Sequence, residues 1–293
     1  MRLNKNMHDL ILKAETLVEA LPYIKQWYGS IVVIKYGGST RSGNQELEST
    51  LRDIVLLKYV GLKPIIVHGG GKDISDFLTR LGIVSKFIDG LRITDKKTME
   101  IVEMVLSGKI NKEIVLVLNK LGASAIGLSG KDGSLLLAEK VSKRKSRDLG
   151  WVGKVSSVNS EILEKLLQEK FIPVVAPIGM SKTGDTYNIN ADEVAGHIAA
   201  ALKAQKLIFL TDVPGIQKRI KQQPTLISTI RLNELKMMIK NKIITGGMIP
   251  KVESCVYALQ SGVQKTHIID GRVSHALLLE MFTPDGIGTQ IIH

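Results

Sequence analysis

The sequence predicts an α/β fold in which a parallel sheet is covered by helices on both faces. Three observations carry that expectation. Hydrophobic residues make up 44% of the 293 residues but aromatics only 4%, so the interior must be mainly aliphatic. The strands appear as short Ile/Val/Leu runs between polar turns, the pattern of strands buried on both faces. These runs alternate with stretches of helical spacing, the rhythm of successive βαβ units.

The opening segment, "MHDLILKAETLVEALPYIKQWYG", places Leu10, Leu17, Val18 and Leu21 at helical spacing ahead of any strand, so it reads as an arm. Pro22 is expected to kink or break it, because proline lacks an N–H and clashes with the preceding turn. Two arrangements fit: a helix packed on its own domain, or an amphipathic arm that meets another subunit. A strand follows at 31–36, then a helix at about 46–60, a strand at 64–68 and a helix at about 73–81. Two helical stretches lie between Asp95 and Leu121, and a glycine-rich region with hairpin character runs from about 125 to 157. The alternation resumes with a helix at 160–169, a strand at 171–176, a helix at 192–203 and a strand at 206–210. A helix at 249–261, a strand at 266–270 and a last strand near 289–292 complete it. No internal repeat is evident, and no shift in composition marks a linker.

Lys and Arg number 40 against 28 Asp and Glu, a formal charge of +12. Its distribution argues against nucleic acid. The densest cluster, "KVSKRKSRD" at 140–148, lacks interleaved aromatics, and much of the remaining excess lies on helical segments such as "KMMIKNK". No helix-turn-helix, zinc-finger or RNA-binding pattern occurs. A solvated surface or a small anionic substrate accounts for the balance. No apolar stretch approaches the roughly 20 residues that span a bilayer. The single cysteine, Cys255, cannot form an internal disulfide and no signal pattern opens the chain, so a soluble protein of a reducing, intracellular compartment is expected.

Parallel sheets bind ligands beyond the carboxyl ends of their strands, and the informative residues fall there. "IVVIKYGGST" ends a buried-strand run in Lys35, Tyr36, Gly37 and Gly38, leaving bare backbone N–H groups beside a positive charge, which suits an anion. "PIIVHGGGKD" repeats the device: after His68, Gly69, Gly70 and Gly71 let the backbone approach a ligand where a helix turns its free N–H groups outward. The spacing fits neither a Walker A loop nor the G-x-G-x-x-G dinucleotide fingerprint. His68 fits a base or, as histidines at strand ends more often do, a structural hydrogen bond.

In "FIDGLRITD", Arg92 follows a glycine turn and Thr94 with Asp95 suits a helix N-cap. A guanidinium fork at such a point fits a ligand carboxylate or an ordinary salt bridge. "YNINADEVAGHIAAAL" sets Asn188 and Asn190 ahead of Asp192 at a helix start. The asparagines offer neutral donors and acceptors to an amide or carboxylate, while Asp192 either caps the helix or orients cations around an anion. In "LIFLTDVPGI", Asp212 lies at a strand's carboxyl end, and Pro214 and Gly215 suit a type II turn. In "ITGGMIPKVESC", Gly246 and Gly247 precede a helix with Lys251 in its first turn, where a lysine opposes the helix dipole unless an anion lies nearby.

These residues form a set for phosphoryl transfer. Lys35, Lys251 and the glycine-turn N–H groups would stabilise charge spread over the transferred phosphoryl oxygens, with the metal riding on the nucleotide. No general base stands out, which fits an acceptor already ionised at neutral pH, such as a carboxylate.

The stretches "VVIKYGGST", "VHGGGKDI", "GLRITD", "DLGWVGKV", "NINADEVAG", "LTDVPGI", "TGGMIPKV" and "GIGTQI" resemble, in order and over nearly the whole chain, the N-acetyl-L-glutamate kinase branch of the amino acid kinase family. The glycine turns alone are shared with aspartokinases, glutamate 5-kinases, carbamate kinases and uridylate kinases. G-L-R-I-T together with N-x-N-A-D is what resembles the acetylglutamate branch. The resemblance implies an open three-layer α/β/α sandwich: an arm at 1–29, an N-lobe at 30–190 for acetylglutamate and dimerisation, and a C-lobe at 191–293 for ATP. It implies transfer of the ATP γ-phosphoryl, with Mg2+ carried by the nucleotide, to the side-chain carboxylate of N-acetyl-L-glutamate in arginine biosynthesis.

Residue by residue, Lys35 and Lys251 match the family's transition-state lysines and Asp192 the aspartate that orients them. Gly70, Gly71, Arg92, Asn188 and Asn190 match substrate-binding positions, and Gly37, Gly38, Gly69, Asp212 and Gly247 phosphate- and nucleotide-binding ones. The arm and the tail "HALLLEMFTPDGIGTQI" resemble the arginine-inhibited branch, in which N-terminal helices interlace dimers into a trimer of dimers. That implies an L-arginine site at Lys206, Glu280 and Gly286. In phototrophs such enzymes also pair with the signalling protein PII, which nothing in the sequence establishes; bacterial cytoplasm and plastid stroma both fit. The rival readings are a kinase for a related N-blocked amino acid such as aminoadipate, and a catalytically silent arginine sensor. The presence of both lysines and Asp192 argues against the sensor.

Overall fold

The computed structural model describes residues 2–37, 44–141, 147–220 and 223–293. Gly38 and residues 142–146 of the basic cluster lie outside the described residues. Helix α1 (Arg2–Trp27) leads into β1 (Ile31–Tyr36), α2 (Asn44–Tyr59), β2 (Lys63–His68) and α3 (Gly71–Arg80). A short hairpin, β3 (Phe87–Ile88) and β4 (Leu91–Arg92), precedes α4 (Lys96–Glu103), which passes through a π-helical turn (Met104–Ile110) into α5 (Asn111–Lys120). Then follow β5 (Ala125–Ser129), β6 (Leu136–Lys140), β7 (Val152–Val158), α6 (Glu161–Gln168), β8 (Ile172–Ala176), β9 (Ile178–Met180) and β10 (Thr186–Ile189). The second half holds α7 (Ala191–Ala201), β11 (Lys206–Thr211), β12 (Gln217–Ile220), β13 (Gln223–Leu226), β14 (Thr229–Arg231) and α8 (Leu232–Lys240). It ends with α9 (Met248–Gln260), β15 (Lys265–Asp270), α10 (Ala276–Phe282) and β16 (Thr289–Ile292).

One eight-stranded sheet in the order β14-β16-β15-β11-β1-β2-β8-β5 runs through the molecule, with β15–β16 its one antiparallel pairing. Alternate residues of each strand face opposite layers. Val32, Ile34 and Tyr36 pack with α2, α3, α5 and α10, whereas Val33, with Leu207 and Phe209 of β11, packs with α6, α7 and α9. This is the three-layer α/β/α sandwich, and each fully buried aliphatic side chain in it contributes about 1.5–3 kcal/mol. Lys35 shares the parity of Val33, so it projects toward α7 and α9.

Several expectations are corrected. Pro22 does not end α1, which runs through it. The carbonyl it leaves unbonded belongs to Val18, itself exposed and open to water. Among the described side chains of the arm, its end packs on its own chain through half-buried Tyr23 and buried Trp27, while Leu10, Leu17, Val18 and Leu21 are exposed. The glycine-rich region holds the expected hairpin, β6 with β7, and more besides. Its first strand, β5, is an edge of the main sheet, and β6 and β7 close with β9 and β10 into a small barrel. Pro214 and Gly215 do not form a type II turn: Gly215 has φ +141°, far from the roughly +80° such a turn needs. Glycine is required there because a Cβ would lie 2.6 Å from Thr289 Oγ1. None of the helices among the described residues is long and apolar enough to cross a membrane.

Candidate active site

The carboxyl ends of β1, β2 and β11 open onto two adjoining cavities that share Lys35 as a wall. The first, of about 250 Å3, is also lined by Gly69, Gly70, Gly71, Arg92, Asn188, Asn190 and Asp192. The second, of about 330 Å3, is lined by Asp212, Gly247 and Lys251, with Thr211 and Thr245.

Asp192 sits at their junction. It does not cap α7; Asn190 does, its Oδ1 accepting the Asp192 N–H at 2.8 Å. The Asp192 carboxylate is thereby left for other work. Its Oδ1 lies 2.9 Å from Lys35 Nζ, and its Oδ2 accepts from Lys251 Nζ at 2.7 Å. Burial pushes the Asp192 carboxyl up, but the Lys35 and Lys251 ammoniums outweigh it and hold it below the usual carboxylate range. Burial also pulls Lys35 below its ordinary value, with Asp192 opposing and Lys251 adding to the fall. Two ammoniums therefore converge on one anion, each also facing a cavity.

Arg92 is fixed by neutral partners. Its Nη1 donates to Ser85 Oγ, its Nη2 to Gly71 O and Ser75 Oγ at 2.8 Å each, and Phe87 lies 4.6 Å beneath the guanidinium. Burial lowers its pKa. A buried guanidinium without a carboxylate partner among the described residues, facing a cavity, is prepared for a ligand carboxylate. Asn188 donates to Thr94 Oγ1 at 3.3 Å, and Thr94 in turn donates to Arg92 O, tying the barrel strand β10 to the arginine.

The glycines differ from one another. The Gly69 N–H donates to Tyr36 O at 2.9 Å, so what Gly69 brings to the cavity is bare backbone surface. At Gly70 a Cβ would meet Ile110 Cδ1 at 2.4 Å and Leu106 Cδ2 at 2.6 Å, both on the π-helical turn. A Cβ at Gly71 or Gly247 would meet nothing within 4 Å, as expected where each borders open space. Buried Gly37 ends β1 beside Lys35. His68 is buried, with Nδ1 3.1 Å from Gly69 O and Nε2 3.2 Å from Asn111 Nδ2, so it takes the structural role.

Sequence reasoning missed the apolar lining of the first cavity. Leu106 arrives there through the π-helical turn, and Val152 and Ile189 through the barrel, none announced by a local motif. Among the described residues no group of three or more His, Cys, Asp or Glu is placed to hold a metal ion.

A second cluster gathers Lys206, Glu280 and Gly286 beside the arm. Lys206 Nζ lies 4.3 Å over the Trp27 ring, and Glu280 Oε1 lies 2.6 Å from His267 Nδ1. Glu280 Oε2 accepts the Ile287 N–H at 2.9 Å and lies 2.8 Å from where a Cβ at Gly286 would be, so Gly286, at φ +62°, fits closely under the carboxylate. Burial pulls Lys206 down to about 8, with Glu280 opposing and Lys265 adding.

A parallel sheet whose carboxyl edge feeds two cavities through one shared lysine, with a buried acid drawing a second lysine to the boundary, defines a phosphotransferase of small molecules. The chain belongs to the amino acid kinase family, whose model matches residues 30–270. It is 56% identical to the acetylglutamate kinase of Caldanaerobacter subterraneus subsp. tengcongensis, over 97% of this chain and 94% of that one. It is 53% identical to the acetylglutamate kinase of Halothermothrix orenii, over 98% of this chain and 99% of that one. Among solved structures, the N-acetylglutamate synthase from Neisseria gonorrhoeae, complexed with coenzyme A and N-acetyl-glutamate, superposes with a TM-score of 0.85 at 26% identity. That match covers 96% of this chain and 63% of the synthase.

Proposed function

We propose that the chain transfers the γ-phosphoryl group of ATP to the side-chain carboxylate of N-acetyl-L-glutamate, giving N-acetyl-L-glutamyl 5-phosphate in arginine biosynthesis. The observation that carries this reading is the pair of cavities meeting at the Lys35–Asp192–Lys251 cluster. Acetylglutamate occupies the first cavity, its α-carboxylate on Arg92 and its amide on Asn188 and Asn190. ATP occupies the second, with phosphates toward Gly37, Gly69 and Gly247; Gly38, a phosphate-binding position by resemblance, lies outside the described residues. The γ-carboxylate oxygen forms a bond to the γ-phosphorus as the bond to the β,γ-bridging oxygen breaks, and that electron pair leaves on ADP. Lys35 and Lys251 neutralise charge on the oxygens in flight, and Asp192 holds both ammoniums in place.

Mg2+ carried by the nucleotide would supply further charge neutralisation across its phosphates. Asp212, the one carboxylate among the described residues lining the second cavity, fits a hydrated magnesium, an ion that commonly takes one or two carboxylates plus phosphates. The division into an acetylglutamate lobe (30–190) and an ATP lobe (191–293) is supported by a first cavity lined mainly by residues before 191 and a second lined, apart from Lys35, by residues after it. L-arginine as inhibitor at Lys206, Glu280 and Gly286 is supported by a buried acid and cation gathered against the arm. Exposed Leu10, Leu17, Val18 and Leu21 support pairing of arms between dimers. The matched kinases come from bacteria, which favours a cytoplasmic enzyme.

The test is phosphorylation of acetylglutamate by the purified protein with ATP and magnesium, with and without arginine. Arginine-suppressed turnover supports both sites. Turnover on acetylaminoadipate in place of acetylglutamate overturns the substrate, and a folded, ATP-binding protein that turns over neither is a sensor. Deletion of residues 1–20 should convert a hexamer to dimers by light scattering.

A further inference from the structure

Lys251 reaches Asp192 from a different helix, so the distance between α7 and α9 decides whether the two-lysine cluster exists. Asp192 is the second residue of α7 and Lys251 the fourth of α9. One turn further along, at i+4 from Asp192 and i+3 from Lys251, Gly196 faces Ser254. A methyl group at Gly196 would lie 3.1 Å from both the Cβ and the carbonyl oxygen of Ser254, and 3.4 Å from its Cα. Beside this contact His197, the residue after Gly196, stacks its ring on Tyr257, one turn beyond Ser254, with centroids 4.1 Å apart. Gly196 has ordinary helical backbone, so glycine is not there for conformational freedom, and in a helix interior it is a poorer former than alanine. What it supplies is room.

We propose that Gly196 is a positioning residue for the transfer reaction: its missing side chain lets α7 and α9 approach closely enough for Lys251 to share Asp192 with Lys35. Lys35 and Asp192 are held by the sheet and by α7 packed on it, so an outward shift of α9 acts on Lys251 and on Gly247 and Met248 beside it in the second cavity, and kcat is read at saturating ATP. Binding of acetylglutamate in the first cavity, which Lys251 does not line, is left as it was.

The inference rests on the kinase reading above, and wild-type turnover on acetylglutamate, measured first, tests that reading separately. Gly196→Ala requires Ser254 to give by a few tenths of an ångström. Since a misplacement of about 1 Å can cost about 10²-fold, kcat should fall about three- to tenfold while the KM for acetylglutamate stays within about twofold. Ala258→Gly, at a buried position of α9, is the control: it weakens the same helix without pushing it away, so it should lower Tm and leave kcat alone. If Gly196→Ala does not accumulate as folded protein, Ser254→Thr brings one methyl to the same contact from the other side and should lower kcat likewise. Wild-type kcat in the folded variant, or an equal loss in Ala258→Gly at matched Tm, overturns the proposal.

Discussion

Two buried carboxylates flank opposite ends of β11, and their surroundings differ in one respect. At the carboxyl end Asp192 is shared by Lys35 and Lys251, both of which face open cavities. At the amino end Glu280 is matched by His267 and the Ile287 N–H, and the nearby cation, Lys206, rests on Trp27. Burial pulls the His267 pKa down, with Glu280 opposing, so the ring is neutral at physiological pH and the Lys206–Glu280 charges balance. In the first cluster two cations contact one buried acid, and the next carboxylate, Asp212, is exposed. A buried surplus charge is costly unless something answers it, so a surplus kept beside empty space marks where an anion is to arrive. The balanced cluster can stand closed without a ligand.

The largest test of that contrast removes one cation from each. Lys35→Met or Lys251→Met should lower kcat about 10²–10³-fold, the usual cost of losing one donor to transition-state charge. Steady-state kinetics should show the KM for acetylglutamate changed much less. Lys206→Met, an equal change in chemistry, should leave kcat within about twofold. A comparable fall there would erase the distinction between the clusters.

Next in size is stability against pH. The Lys206 pKa drops from 10.5 to about 8 on folding. Between those values the unfolded chain keeps a proton that the folded chain has lost, so the Lys206 contribution makes stability rise with pH across that window. Below about pH 8 the buried cation costs its full amount, about 3 kcal/mol at most. Urea unfolding should therefore find Lys206→Met more stable than wild type at pH 7, with the gap closing toward pH 10. A gap that widens with pH would mean that Glu280 outweighs burial and holds Lys206 as a cation.

Arg92→Lys sharpens the first cavity. Lysine cannot reproduce donation to Gly71 O, Ser75 and Ser85 together with the Phe87 contact. The KM for acetylglutamate should rise about 10- to 100-fold, in line with one hydrogen bond to a charged group, with kcat nearly kept. A loss in kcat instead would place Arg92 with the reacting atoms rather than with the far carboxylate.

How far the sequence reveals these clusters depends on how local each cause is. The strand-end lysine and glycines are legible because strand periodicity and the glycine turns are properties of adjacent residues. Whether Asp192 or Asn190 caps α7 is not, since both offer an oxygen at a helix start and only the reach of Lys35 and Lys251 from other elements decides it. Arg92 shows its position but not its anchors, Ser75 and Ser85, which the hairpin and α3 bring together in space. The small barrel is hidden for a similar reason: β9 has three residues, and its partners lie on both sides of a helix in the chain. Pro22 does not end α1, because the carbonyl it leaves unbonded belongs to exposed Val18 and can be met by water.

The smallest expected effect, and the one that bears only on the amino-end cluster, comes from Glu280→Gln. Glutamine has the same shape and can still accept the Ile287 N–H. A neutral His267 can change tautomer to meet the new amide, so the fold and the basal kcat should be kept. What disappears is the negative charge, and with it the group that would meet a guanidinium or ammonium entering beside the arm. The arginine concentration for half-inhibition should rise about tenfold or more, consistent with losing one charge-assisted hydrogen bond. Inhibition unchanged in a folded Glu280→Gln variant would remove arginine from this cluster and leave Glu280 as a structural acid that ties α10 to β15. Basal kcat that falls with it would show that the two ends of β11 are not independent.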